Sequence, residues 1–336
     1  MARWQWRTRF LIMASTLATL AVACVPPVAA NSGDAARGAG DARPTELVSP
    51  APEVNPKAVV WRTQTPPAKP KAGDVWINPK DSSEMVYVPA GSFLMGSTKQ
   101  QIPKDRIDLV FRRELFVSEI PQHRVHLDAY WIDRYPVTVA QYRRFCQATG
   151  RNMPYVELRE WVWEDDHPIV NVKWQDAAAY AAREGKQLPT EAQWEKAARG
   201  TDGRLFPWGS RWDTSKCAWH PNTGRSLHAV PLRTLPVGYF PSGASPYGAL
   251  DMAGIVWQWC RDWYDDKYYQ SAPARNPVGP TTGHFRAVRG GSWDVSDPLS
   301  FRCATRGYSA HAYFPHGLYG FRCVRGLSRN GPRAPS

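Results

Sequence analysis

Residues 289–325 read RGGSWDVSDPLSFRCATRGYSAHAYFPHGLYGFRCVR, and the fold turns on how this stretch is understood. Three short blocks, RGGSW, FRCATR and GFRCVR, are parted by segments with little regular period. Each block sets arginines beside aromatic or sulfur-bearing side chains, a pattern that suits short strands whose two faces differ in burial. Gly290, Gly291 and Gly320 permit close backbone approach at the strand starts. A run so rich in Arg, Trp, Phe and Cys is either packed interior or the wall of a site.

Composition sets the frame for that choice. The 336 residues include 16 Trp, 14 Tyr and 11 Phe, more rings than helix packing alone demands. With 30 Pro and 25 Gly, they predict a loop-rich domain of short elements in which large rings supply the buried area. The expected class is α+β, a single irregular domain with low regular secondary structure. The formal charge is +12, and removal of Arg3, Arg7 and Arg9 with a leader would leave about +9. The remaining Lys and Arg are scattered, without the basic run that nucleic-acid binding uses, so nucleic acid is excluded as a partner.

The N-terminus reads as a targeting segment over residues 1–24. A basic start precedes an apolar run at residues 10–23, shorter than the roughly 20 residues a membrane span needs. Cleavage after Ala30 is one outcome. A lipobox at residues 21–24, with Cys24 becoming the lipidated terminus, is the other. Both predict export, to the periplasm or exterior or as a lipid-anchored envelope protein. Residues 31–73, rich in Pro and Ala, read as a linker, residues 74–327 as the folded domain and residues 328–336 as a basic tail. Besides Cys24 the chain carries Cys146, Cys217, Cys260, Cys303 and Cys323. In an oxidising compartment five cysteines allow up to two disulfides and one free thiol, with no pairing legible.

Within the domain, residues 85–96 predict two short strands broken near Pro89, and residues 123–132 a half-buried strand. Three helices follow. The first is capped by Thr138 and ends at Gly150; the second covers residues 175–184 and stops at Gly185. The third opens on the Thr190/Gln193 capping box and ends at Gly200. Residues 251–264, DMAGIVWQWCRDWY, predict a strand with alternating rings.

The order of the blocks MVYVPAGSFLMGS, HRVHLDAYWIDRYPVTVAQYRRF, HPIVNVKWQDAAAYAAREGKQLPTEAQWEKAARG, LFPWG, LDMAGIVWQW, RGGSW and GFRCVR resembles the formylglycine-generating enzyme, or sulfatase-modifying-factor, family. The resemblance covers about residues 83–326 and implies a variant of the C-type lectin fold. It also implies oxygen- and copper-dependent oxidation of a sulfatase cysteine, on two cysteines lying just after the RGGS block. Thiolates are the soft ligands such chemistry needs. Here residues 293–302 hold no cysteine, so this looks like a divergent member without copper-type oxidation. Cys303 matches a structural family position whose disulfide partners fall on Ala181 and Ala198. It must therefore pair with Cys323, pair elsewhere, or stay reduced.

The family's calcium block reads GIVWQW here, with Gln258 where a carboxylate is usual and Ile255 for an amide, leaving Gln258 a weakened calcium candidate. Other branches of the family use iron. Candidate ligands are His311 and His316, with Asp294 and Asp297 as helpers, whereas His123 and His126 have odd spacing on one strand and point to opposite faces. No GxSxG, HExxH or P-loop occurs. A candidate pocket of Arg289, Ser292, Trp293, Arg302, Arg306 and Trp257, with Arg322 nearby, would bind a peptide, protein or anionic ligand. Within it Trp257 and Trp293 are expected in the core and Arg306 exposed to ligand. The functional expectation is a ligand-binding or structural envelope module. Its alternative is an oxygen-dependent non-heme metal enzyme, with iron or copper, acting on a peptide cysteine or small metabolite.

Overall fold

The computed structural model describes residues 58–102, 116–155, 162–219, 234–307 and 317–327. All lie in the second of two compact units, Ser49–Ser336; the first, Met1–Val48, falls outside the described residues together with the leader, the Cys24 lipobox and the basic tail. Among the described residues no helix is long and apolar enough to cross a membrane.

In chain order the elements are β1 (Val60–Trp61), β2 (Val75–Ile77), β3 (Glu84–Val88), β4 (Gly91–Met95), β5 (His123–Leu127), β6 (Tyr130–Asp133), α1 (Val139–Thr149), α2 (Trp174–Arg183), α3 (Glu191–Arg199), β7 (Trp257–Trp263), β8 (Arg286–Arg289), β9 (Tyr319–Gly320) and β10 (Val324–Gly326). One sheet runs β1-β2-β3-β6-β10, a second pairs β4 with β5, and a third runs β8-β7-β9. Among the described residues, short strands, three α-helices and irregular connections make this the α+β domain the composition predicts. Two boundaries differ from expectation. The linker reading of residues 31–73 fails at its end, because Val60 and Trp61 pair in parallel with Val75 and Trp76. The strand expected over residues 251–264 starts only at Trp257, since Asp251 (φ 56°), Gly254 (φ 77°) and Ile255 (φ 54°) turn the chain before it.

Local chemistry explains the helices. Thr138 Oγ1 accepts from Gln141 N–H while Gln141 Oε1 accepts from Thr138 N–H, and the same reciprocal box joins Thr190 and Gln193. Gly150, at φ 68°, ends α1 in the left-handed region. α2 has no side-chain cap. It is tied instead by Trp174 Nε1–H, which donates to Cys260 O at 2.8 Å on β7.

The first sheet is buried on both sides, which is why all four residues of β6 are buried. On one face Val86, Val88 and Ile132 meet Trp194, Ala197 and Ala198 of α3; on the other, Trp76, Met85 and Trp131 form a separate cluster. A further core gathers Tyr142 and Phe145 of α1, Tyr180 of α2, Trp259 of β7 and Phe321. Tyr142 stacks on Tyr180 at 6.0 Å, and Tyr180 meets Phe321 edge-on at 5.4 Å. A buried ring of this size contributes on the order of 4–6 kcal/mol before conformational entropy is subtracted. Rings therefore do here what long elements do elsewhere.

Candidate functional site

Helix α3 places Glu191 and Glu195 one turn apart, facing the strand that carries RGGSW. Arg289, at the end of β8, donates to Glu191 Oε1 at 3.4 Å, to Glu195 Oε2, and to the carbonyls of Cys303 (2.9 Å) and Ala304 (3.3 Å). Arg306 grips Glu191 with two bonds, Nε–H to Oε1 at 3.0 Å and Nη2–H to Oε2 at 2.8 Å. Its Nη1 donates to the carbonyls of Ser118 and Asp265. Its guanidinium lies 4.6 Å from the Tyr264 ring centre and 4.4 Å from that of Tyr269. Arg302 donates to Glu119 Oε1 at 2.7 Å and to Ser97 Oγ. Arg289 and Arg306 are 0% exposed and Arg302 1%.

This corrects the predicted pocket. Arg289, Arg302, Arg306 and Arg322 face inward, and Arg306, expected to meet a ligand, is core. Burial opposes the Glu191 charge, but the Arg306 and Arg289 guanidiniums overcome it and hold its carboxyl below the usual range. Apart from the enclosed Arg289 Nε–H, which has no acceptor, their donors go to the protein itself. The rings behave in the opposite way: Trp257 and Trp293, expected in the core, are half-buried.

Gln258 is also reassigned. Its Oε1 accepts from Trp194 Nε1–H at 2.8 Å and Arg322 Nε–H at 2.7 Å, and its Nε2–H donates to Asp251 O. Both lone pairs of the amide oxygen are engaged, so Gln258 has none to offer calcium. Arg322 sends its other N–H groups to the carbonyls of Asp133, Arg134, Leu250 and Asp251. Burial lowers its pKa to about 10 although Asp251 and Asp133 oppose that. Gln258 and Arg322 thus clamp β7, the 250–251 turn and the last block together.

None of the five described cysteines is disulfide-bonded, and all are buried. This settles the pairing left open for Cys303 and Cys323: each sits reduced, at 0% exposure, in a different core cluster. Burial pushes the Cys303 thiol up to about 12 and the Cys260 thiol well above its ordinary value. Copper(I) needs accessible thiolates, so these enclosed, protonated thiols do not fit it.

What the RGGSW block does present is small. Gly291 (φ 73°) brings its backbone within reach of the Phe301 ring, where a Cβ would lie 3.0 Å from Cδ1. The turn buries Ser292 and leaves Trp293 and Asp294 half-buried. Ser292 Oγ–H donates to Asp294, whose charge in turn raises the Tyr319 pKa after the larger effect of burial. Tyr319 is the register partner of Trp257 on β7. Trp293 packs with Phe240, Leu235 and Trp163 on the cluster of Val170, Ile255 and Val256, and its buried Nε1–H has no acceptor. The rings of Trp257, Trp293 and Tyr319 are half-buried, whereas Ser292 is 0% exposed and Trp293 Nε1 is enclosed, and the described residues of this turn hold no nucleophile–base pair.

Of the histidines, His311 and His316 lie outside the described residues. His123 and His126 sit on β5; His126 Nδ1 is 3.5 Å from Ser92 Oγ and His123 Nδ1 2.9 Å from Pro121 O, so they share no site. Asp297 caps a short turn through Leu299 N–H. A grouping not singled out from the sequence is Glu164, Asp166 and His167, each of which offers one carboxylate or imidazole atom within 4.8 Å of the other two. The string EDDH was the available signal.

Comparison with known proteins places this geometry. A family model, the sulfatase-modifying factor enzyme 1-like domain, matches residues 71–327 and so takes in every element but β1. A formylglycine-generating enzyme of Streptomyces coelicolor is 32% identical over 303 residues, covering 73% of this chain and 90% of its own length. A Chlamydia caviae protein named serine/threonine-protein kinase pkn1 is 34% identical over 269 residues. That match covers 73% of this chain but only 38% of the other protein. Among solved structures, PvdO from Pseudomonas aeruginosa superposes with a TM-score of 0.62 at 28% identity, covering 77% of this chain and 100% of that one. With the match running through α3, the RGGSW turn and the last block, the chain belongs to the sulfatase-modifying factor enzyme 1-like domain family, to which it is joined by its similarity to formylglycine-generating enzymes.

Proposed function

We propose that the chain is an exported envelope module that binds a peptide or protein ligand and does not perform copper-cysteine oxidation. The observation that carries this reading is the state of the thiols. Residues 293–302 contain no cysteine, and Cys260 and Cys303 are enclosed at 0% exposure with their thiols held protonated. With Arg289, Arg302 and Arg306 enclosed and ion-paired to Glu191, Glu195 and Glu119, an anion-reading wall is out of a ligand's reach. The half-buried rings of Trp257, Trp293 and Tyr319 favour a peptide instead. The apolar leader and Cys24 support export, with a lipid anchor or with simple cleavage.

The test supplies purified full chain with Cu(I) and a cysteine-containing sulfatase-type peptide, and follows oxygen consumption and peptide mass. No copper-dependent mass change is expected. Conversion that disappears in Cys303→Ser or Cys260→Ser would overturn the reading. Selection from a displayed peptide library should yield binders lost in Trp293→Ala; binders indifferent to Trp293 and Trp257 would remove the assigned surface.

A further inference from the structure

Glu164, Asp166 and His167 follow Trp163, which packs on the same cluster as Trp293, but none of the three belongs to a hydrophobic cluster. The loop that carries them meets the start of α1, where His167 O accepts from Val139 N–H and Asp165 O from Ala140 N–H. Its neighbour Asp165 is already paired with Arg143. His167 is only 7% exposed, and its ring is fixed from outside the group: Nδ1 lies 2.9 Å from Oγ1 of Thr234, itself 1% exposed. That contact turns Nε2 toward the carboxylates, 2.8 Å from Glu164 Oε2.

We propose that Glu164, Asp166 and His167 form a binding site for a divalent transition-metal ion of the zinc type. One imidazole nitrogen and two carboxylates are a borderline donor set that suits zinc and its neighbours better than calcium, which asks for six to eight oxygens. Zinc bonds of about 2.0–2.2 Å put ligand atoms roughly 3.5 Å apart. The present separations, from 2.8 Å between Glu164 and His167 up to 4.8 Å, adjust by rotation of the carboxylates, the first opening and the wider ones closing, since Glu164 is 39% exposed at its side chain and Asp166 lies at the surface. The buried His167 is the fixed anchor, and Thr234 plays the outer-shell role that orients a metal-binding imidazole. Three protein ligands leave a fourth position for water. This site is independent of the peptide-binding reading.

The experiment titrates ZnCl2 into chelator-treated full chain by calorimetry. The wild type should bind one equivalent that Glu164→Gln/Asp166→Asn loses while its circular dichroism is unchanged. Thr234→Val should weaken binding about 10–100-fold, as outer-shell changes do. If the double variant does not fold, the surface change Asp166→Asn alone decides, with the same loss expected. Absence of zinc binding in the wild type, or binding undiminished in these variants and so held elsewhere on the chain, would overturn the proposal.

Discussion

Replacing Arg306 by alanine is the sharpest test of the inward-facing arginines. Arg306 makes two charge-assisted bonds to Glu191 and two to backbone carbonyls, and it lies over Tyr264 and Tyr269. Its loss leaves Glu191, 2% exposed, with the Arg289 contact at 3.4 Å. Breaking a buried pair from one side costs about 3–5 kcal/mol, because a charge is stranded. The lost stacking, about 0.5–1 kcal/mol per ring, places the expectation at the upper end of that range. Against a typical domain stability of about 5–15 kcal/mol this is a large fraction.

Urea unfolding followed by tryptophan fluorescence provides the readout. With a slope of about 2.5 kcal/mol/M, a loss of 4 kcal/mol lowers the midpoint by roughly 1.6 M. Two internal checks follow. Glu191→Gln added to Arg306→Ala should recover part of the loss, because the stranded charge is gone; the coupling should exceed about 1 kcal/mol. The Glu191 carboxyl is held low in the native state, so its contribution is present above its ordinary pKa of 4.5 and fades as pH falls through the native value. The gap between wild type and Arg306→Ala should therefore narrow in acid. A fully folded Arg306→Ala variant within about 1 kcal/mol of wild type would refute the core assignment and restore the arginine as a ligand group.

Two further predictions rest on the turn before β7. Burial raises the Asp251 pKa from 3.8 to about 6, with the Gly238 N–H and Arg322 opposing it. The native state therefore holds a proton that the unfolded chain has released between those values, and stability is lost as pH rises from about 4 to about 6, by roughly 3 kcal/mol at most. Asp251→Asn should flatten that profile in pH-dependent urea unfolding, and parallel profiles for variant and wild type would contradict it. At Gly254, φ 77°, an added Cβ would lie 2.3 Å from Ala218 O, whereas at Gly203, φ 78°, nothing lies within 4 Å. Gly254→Ala should cost about 3 kcal/mol and Gly203→Ala about 1 kcal/mol, both by urea midpoint, and equal losses would show that the close contact is not the cause.

The sequence by itself determined the helices, the class and the missing thiols. A capping box is written within four residues, so Thr138, Thr190 and the glycines beyond each helix could be read without knowing any partner. The empty interval between Ser292 and Cys303 is likewise a matter of spelling. The order of the short blocks placed the chain in its family, though no single block does.

Tertiary structure alone decided which way the arginines point. The carboxylate that takes Arg306 lies 115 residues earlier and the one that takes Arg302 lies 183 earlier. Nothing in RGGSW or FRCATR tells a salt-bridged interior from a binding wall, because both need cations beside rings. The same distance hid Gln258, whose amide completes a clamp on Trp194 and Arg322. It also hid the role of Thr234, 67 residues from the imidazole it aligns. Local bonds follow from spacing; the direction of a buried charge follows only from where the chain returns.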